Sequence, residues 1–129
     1  MRVGPQRLFF TLGSVSALIG VALGAFAAHA LKSRIGADLL VTFEVGVRYQ
    51  MYHAFALLAV GWAHTLWPSR ALTASGWMFI AGTVLFSGSL YVLSLTGLRG
   101  FGAITPIGGV ALLAGWSCLA WAPFARLST

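Results

Sequence analysis

Four apolar stretches separated by short polar breaks predict an all-α integral membrane protein, a four-transmembrane-helix bundle with an amphipathic segment between spans 1 and 2. Three observations carry this. Of 129 residues, 59% are hydrophobic and only 8% charged, against roughly 45–50% and 25% in soluble domains. Each apolar stretch is free of Asp, Glu, Lys and Arg over about the 20 residues needed to cross a hydrocarbon core. The eight basic residues lie at or near the edges of these stretches, where headgroup anchors and topology signals belong.

The first span is read at residues 8–30, between Arg7 and Lys32. A competing reading takes Arg2 and Arg7 as the charged start of a signal peptide and Ala28-His29-Ala30 as its cleavage site, but the apolar stretch is long for that. Residues 34–47 follow, with Ile35, Leu39, Phe43 and Val47 four apart on one helical face and Asp38 and Glu44 between them. A helix running from Asp38 to Leu66 would be about 43 Å long, more than the core needs. The amphipathic part is therefore expected at the membrane surface or folded over the bundle, leading into a second span at 49–67. Pro68 ends that span. A third span is read at 73–95, a loop at Gly97, Arg99, Gly100 and Gly102, and a fourth span at 103–122, closed by Pro123 and Arg126. All of it forms one transmembrane domain, residues 1–129.

Four spans place both termini on one side. Arg2, Arg7, Arg70 and Arg126 then face Lys32, Arg34, Arg48 and Arg99 across the membrane, so the charge count is level. The two arginines and the amine ahead of the first span favour termini in the cytoplasm. Trp67 and Trp121, nearest the helix ends, are the expected interfacial anchors.

Helices in lipid associate through close packing and hydrogen bonds, which favours small residues at their contacts. Gly13, Gly20 and Gly24 share one side of the first span, and Gly20 to Gly24 is a G-x-x-x-G that serves equally for internal packing or for dimerisation. Gly82 and Gly88 on the third span, and Gly108 and Gly109 on the fourth, are the matching candidates.

The dispersed basic residues argue against nucleic acid, which needs clustered cations. Cys118 is alone, so no internal disulfide forms. The serines have no acidic partner in their own spans and no G-x-x-x-x-G-K-S/T sequence is present, so no catalytic residue is assigned and an enzyme is not expected. His29 and His53 fall towards the same membrane side and could supply two haem ligands or part of a metal site. No Cys, Asp or Glu stands beside them at ligand spacing, and no metal or cofactor is assigned. His64 lies about 16 Å beyond His53. Arg48, Tyr49, Gln50, Tyr52 and His53 make the densest polar and aromatic cluster and the best candidate ligand site, with a Glu44–Arg48 salt bridge as its plain structural explanation.

Gly24-Ala25-Phe26-Ala27-Ala28-His29-Ala30-Leu31-Lys32, Arg48-Tyr49-Gln50-Met51-Tyr52-His53-Ala54, Phe86-Ser87-Gly88-Ser89-Leu90-Tyr91, Thr105-Pro106-Ile107-Gly108-Gly109 and Gly115-Trp116 follow one another along nearly the whole chain. In this order they resemble the YgdD/YwdK family of small membrane proteins, classed as a domain of unknown function. Ala27 stands where that family's pattern has glycine. The resemblance implies a multi-span protein of the bacterial inner membrane and brings no activity, substrate or cofactor with it. It also groups Tyr91 and Thr105 with His29 and the Tyr49–His53 cluster, as a polar cap over one end of the bundle. The expected role is a non-catalytic accessory, assembly or structural subunit, partnered by the lipid bilayer and by another membrane protein or further copies of itself. A small transporter or channel component, and a haem- or quinone-binding subunit, are the alternatives.

Overall fold

The computed structural model describes residues 2–125, which fold as four helices. α1 runs Pro5–His29, α2 Ala37–Leu66, α3 Arg70–Thr96 and α4 Thr105–Ala125, with short 3-10 turns at Leu31–Ser33 and Arg99–Ala103. Local chemistry sets most of the ends. Pro5 opens α1, where a missing N–H breaks no helical bond. Gly36 precedes α2 in extended geometry, and Asp38 sits in its first turn at the positive end of the helix dipole. Trp67 leaves helical geometry just before Pro68, and Ser69 caps α3 by accepting the Leu72 N–H at 3.3 Å. Gly97 closes α3 at φ 72°, its N–H bonded to the Leu93 carbonyl at 2.7 Å, in a left-handed conformation that glycine adopts without strain.

Two boundaries differ from expectation. Residues 34–47 are not a separate element, because from Ala37 onward they are the opening turns of one 30-residue helix. No proline interrupts them, so the backbone ladder propagates straight into the next turns. Their apolar face is buried: Phe43 packs with Ala27 and Leu31, flanked by Ile35, Leu40 and Val47, while Asp38 and Glu44 stay exposed. Nor does Pro123 close the fourth helix, which continues to Ala125. The proline removes a ladder bond near the end, where the ladder is already running out. Arg126 lies outside the described residues.

With their adjoining turns, α1 (Pro5–Ser33), α3 (Arg70–Thr96) and α4 (Arg99–Ala125) are long and apolar enough to cross a membrane. α2 is not among these three, since Tyr49, Gln50, Tyr52, His53 and His64 interrupt its apolar sequence.

α1 packs on α2, α2 on α3 and α3 on α4, so α2 and α3 form the middle pair. Glycines set the register. Between α1 and α2, Gly24 meets Val47, Gly20 meets Met51, Gly13 meets Ala54 and Leu57, and Phe10 fits against Gly61. Positions rise on one helix as they fall on the other, so the two are antiparallel. Between α3 and α4 the pairs are Phe79–Gly115, Gly82–Leu112 and Phe86–Gly108, with the bulky residue changing sides at each step. Their spacings of three and four keep one face of each helix in contact throughout. A side-chain carbon on Gly20 would lie 2.5 Å from the Met51 sulfur and one on Gly82 2.6 Å from Leu112, while one on Gly108 would collide with the Phe86 backbone.

The G-x-x-x-G of α1 therefore faces α2 within the chain. Gly88 does not pack as expected: among the described residues, nothing beyond its own stretch of helix lies within 4 Å of where its side chain would start. Gly109 meets only the Phe86 ring, at 3.9 Å. Each is one residue away from a packing position, Ser87 and Gly108, and one residue turns a helical side chain by about 100°. Gly46, against Tyr91, and Gly76, against the Phe9 ring, are close contacts absent from the sequence reading. The central core joins Phe9, Leu57, Val60, Phe79 and Leu112 from all four helices.

Candidate functional site

Gln50 is buried where α1, α2 and α3 meet. Its Nε2 donates to the Ser16 carbonyl at 2.9 Å, and its Oε1 accepts the Tyr91 hydroxyl at 2.6 Å. One turn earlier on α2, the Gly46 carbonyl accepts the Ser87 hydroxyl at 2.7 Å. This close approach requires the glycine: a side-chain carbon there would sit 2.8 Å from the Tyr91 ring.

His53, only 5% exposed, ties α2 to α4. The Trp116 indole N–H donates to its Nε2 at 3.1 Å. Indole nitrogen is a donor only, so Nε2 accepts, and the ring proton must sit on Nδ1 to bond the Tyr49 carbonyl at 2.6 Å. Both nitrogens of the neutral imidazole are thus engaged, and ligating a metal through either would break one of these bonds. Aromatic rings surround it: Phe79 at 5.7 Å, Trp116 at 5.9 Å and Tyr49 at 6.2 Å, with Phe86 4.6 Å from Tyr49. α3 and α4 add two bonds, Ser75 to the Gly115 carbonyl at 2.8 Å and Ser89 with Thr105 at 2.6 Å.

The structure brings Gln50 to Tyr91, Tyr49 to His53, and Thr105 to Ser89. Gln50 and Ser16 stand near the middle of α2 and α1, so that pair lies inside the bundle, whereas Thr105 is the first residue of α4. His29 does not join them: it is exposed at the end of α1 and makes no side-chain hydrogen bond among the described residues. Arg48 and Tyr52 are exposed as well. The Glu44–Arg48 salt bridge does not form, because spacing brings two side chains near each other without fixing their ends, and exposed pairs gain little by meeting. Among the described residues the ion pair is Asp38–Arg99 at 3.9 Å, between two exposed side chains. It links the start of α2 to the turn before α4.

Sequence reasoning passed over Ser16 and Ser75, whose roles depend on which carbonyl or amide the folded helices bring opposite. Trp116 carried a weak signal, since an indole N–H buried in lipid needs an acceptor. Among the described residues, His64 Nε2 and Thr83 Oγ1 are buried without a partner, and His64 stacks on Phe9 at 6.0 Å. No three of His, Cys, Asp and Glu gather as a metal site among the described residues. Two open grooves flank the middle pair. One, of about 500 Å³, separates α2 from α4 over Phe86 and is lined by Tyr49, Tyr52, His53, Pro106 and Trp116 among others. The other, of about 370 Å³, separates α1 from α3 and includes Ser16, Gln50, Thr83, Ser87 and Tyr91.

Residues 23–109 match the family described as Protein of unknown function (DUF423). The chain is 47% identical over 112 residues to the UPF0382 membrane protein YwdK of Bacillus subtilis, covering 86% of this chain and 91% of that protein. It is 44% identical to the UPF0382 membrane protein SSP2132 of Staphylococcus saprophyticus, covering 88% and 94%. With the UPF0382 inner membrane protein YgdD of Escherichia coli K12 it shares 41% identity, covering 88% and 87%. No solved structure matches.

Proposed function

This chain belongs to the DUF423 family of UPF0382 membrane proteins, and from that premise we propose that it is a non-catalytic accessory or assembly subunit of a larger membrane complex. One observation carries the reading: apart from His64 and Thr83, the buried polar groups at the meeting of the helices are bonded to neighbouring helices. Gln50, Ser75, Ser87, Tyr91 and His53 each reach across to another helix or its side chains. Asp38 and Glu44, the two acidic residues, stand exposed on the opening turns of α2, away from the buried imidazole. Such an interior stabilises a shape and leaves the outer helix faces for partners.

The reading takes α2 as a fourth span, its opening turns at the membrane surface and both termini in the cytoplasm. α2 runs beside α1 from the Phe10–Gly61 contact to the Gly24–Val47 contact, so it covers the same height as a helix able to cross. Gln50, His53 and His64 are sheltered by α1, α3 and α4, which hydropathy along one helix does not register. Arg2 and Arg7 ahead of α1 favour the cytoplasmic termini.

Co-purification in mild detergent from native membranes tests the proposal. A stoichiometric membrane-protein partner is expected. Monomer or homo-oligomer alone, across several gentle extractions, would contradict it.

A further inference from the structure

We propose that the groove between α2 and α4 binds one anionic phospholipid, with an acyl chain along its aromatic wall and the phosphate held by Arg48. The groove measures about 500 Å³ and its wall is apolar, with Tyr49, Tyr52, Phe86, Pro106, Val110 and Trp116 contributing. Hydrocarbon is what such a wall accepts. Gly109 leaves it open, since a side-chain carbon there would meet only the Phe86 ring at 3.9 Å.

Arg48 supplies the charge. It precedes Tyr52 by four residues and so shares its face of α2. It is exposed and has no ion-pair partner among the described residues. Its depth follows from the helix register. Val47, the residue before it, packs on Gly24, five residues before the α1 end at His29, or about 7 Å of helix. At that depth a guanidinium is costly in hydrocarbon, and its long stem lets it reach outward to the phosphate level. Two phosphate oxygens match the guanidinium fork, and the chain's net charge of +6 favours anionic lipid in general. The depth rests on α2 being a span, which cysteine labelling tests separately: crossing without lipid preference would sink the lipid site alone.

The test uses the full chain in nanodiscs of equal parts phosphatidylglycerol and phosphatidylcholine, released for native mass spectrometry. The wild type is expected to retain phosphatidylglycerol preferentially. Occupancy should fall about five- to tenfold in Arg48→Gln and recover in part in Arg48→Lys. It should also fall in Gly109→Leu, which fills the groove without altering charge. Arg34→Gln, in the turn after α1, should leave it unchanged. Equal retention of the two lipids by the wild type would overturn the proposal, as would equal losses in Arg34→Gln and Arg48→Gln. A dimer that Gly109→Leu dissolves would make a second copy the occupant and overturn it too.

Discussion

Gln50 joins three helices through a single amide, so its removal should be felt beyond its own contacts. Gln50→Leu breaks the bonds to Ser16 and Tyr91 and leaves a buried hydroxyl without its acceptor. Hydrogen bonds between membrane helices contribute about 0.6 kcal/mol on average and up to about 1.7. We expect a loss of about 1–2 kcal/mol by unfolding in mixed detergent. Tyr91→Phe alone should cost less, and the double variant no more than Gln50→Leu alone, because the two share one bond. Additive losses would show that Tyr91 acts through other contacts. Trp116→Phe keeps the ring but removes the donor to His53 Nε2. It should lower stability by about 1 kcal/mol in the same assay, and no change would argue that the indole bond is incidental. The sequence marks Gln50 and His53 as unusual, because polar side chains in an apolar stretch need partners. It does not say which partners, since Ser16 offers only its backbone and Trp116 lies 63 residues from His53.

At the scale of helices, the glycines separate into those at a contact and those beside one. Gly108→Ala drives a methyl into the Phe86 backbone, which cannot retreat, and should destabilise the α3–α4 pair by about 1–3 kcal/mol. Gly88→Ala adds a methyl in open space and should stay within about 0.5 kcal/mol of the wild type. Equal effects in a thermal unfolding series would contradict this packing. Uncharged length and flanking basic residues, which are local properties of sequence, mark all four stretches as spans, and three of the helices are long and apolar enough to cross a membrane. Which glycines pack is less legible, as a shift of one residue moves a side chain about 100° round the helix and its facing is set by the partner. Length alone sets the opening of α2 apart as an amphipathic segment that leads into the second span. The structure keeps α2 whole, because its opening turns find an apolar surface in Ala27, Leu31 and Tyr91.

For the whole molecule, alternating helix directions place the Gly4 and Ser69 ends together, with Gly36 and Gly100 at the other end. The open α2–α4 and α1–α3 grooves follow from the chain of extensive contacts, α1 on α2 on α3 on α4, with α2 and α4 meeting at His53–Trp116 and α1 and α3 at Phe9–Gly76. No single segment of sequence carries that arrangement. The central claim is that α2 crosses the membrane despite its polar residues. It is tested by cysteines at Gly4, Gly36, Ser69 and Gly100, one at a time in a Cys118→Ser background, labelled with a membrane-impermeant maleimide on intact cells and on inverted vesicles. The account predicts that Gly36→Cys and Gly100→Cys react on intact cells while Gly4→Cys and Ser69→Cys react on inverted vesicles. Gly36→Cys and Ser69→Cys reacting from the same side would contradict it.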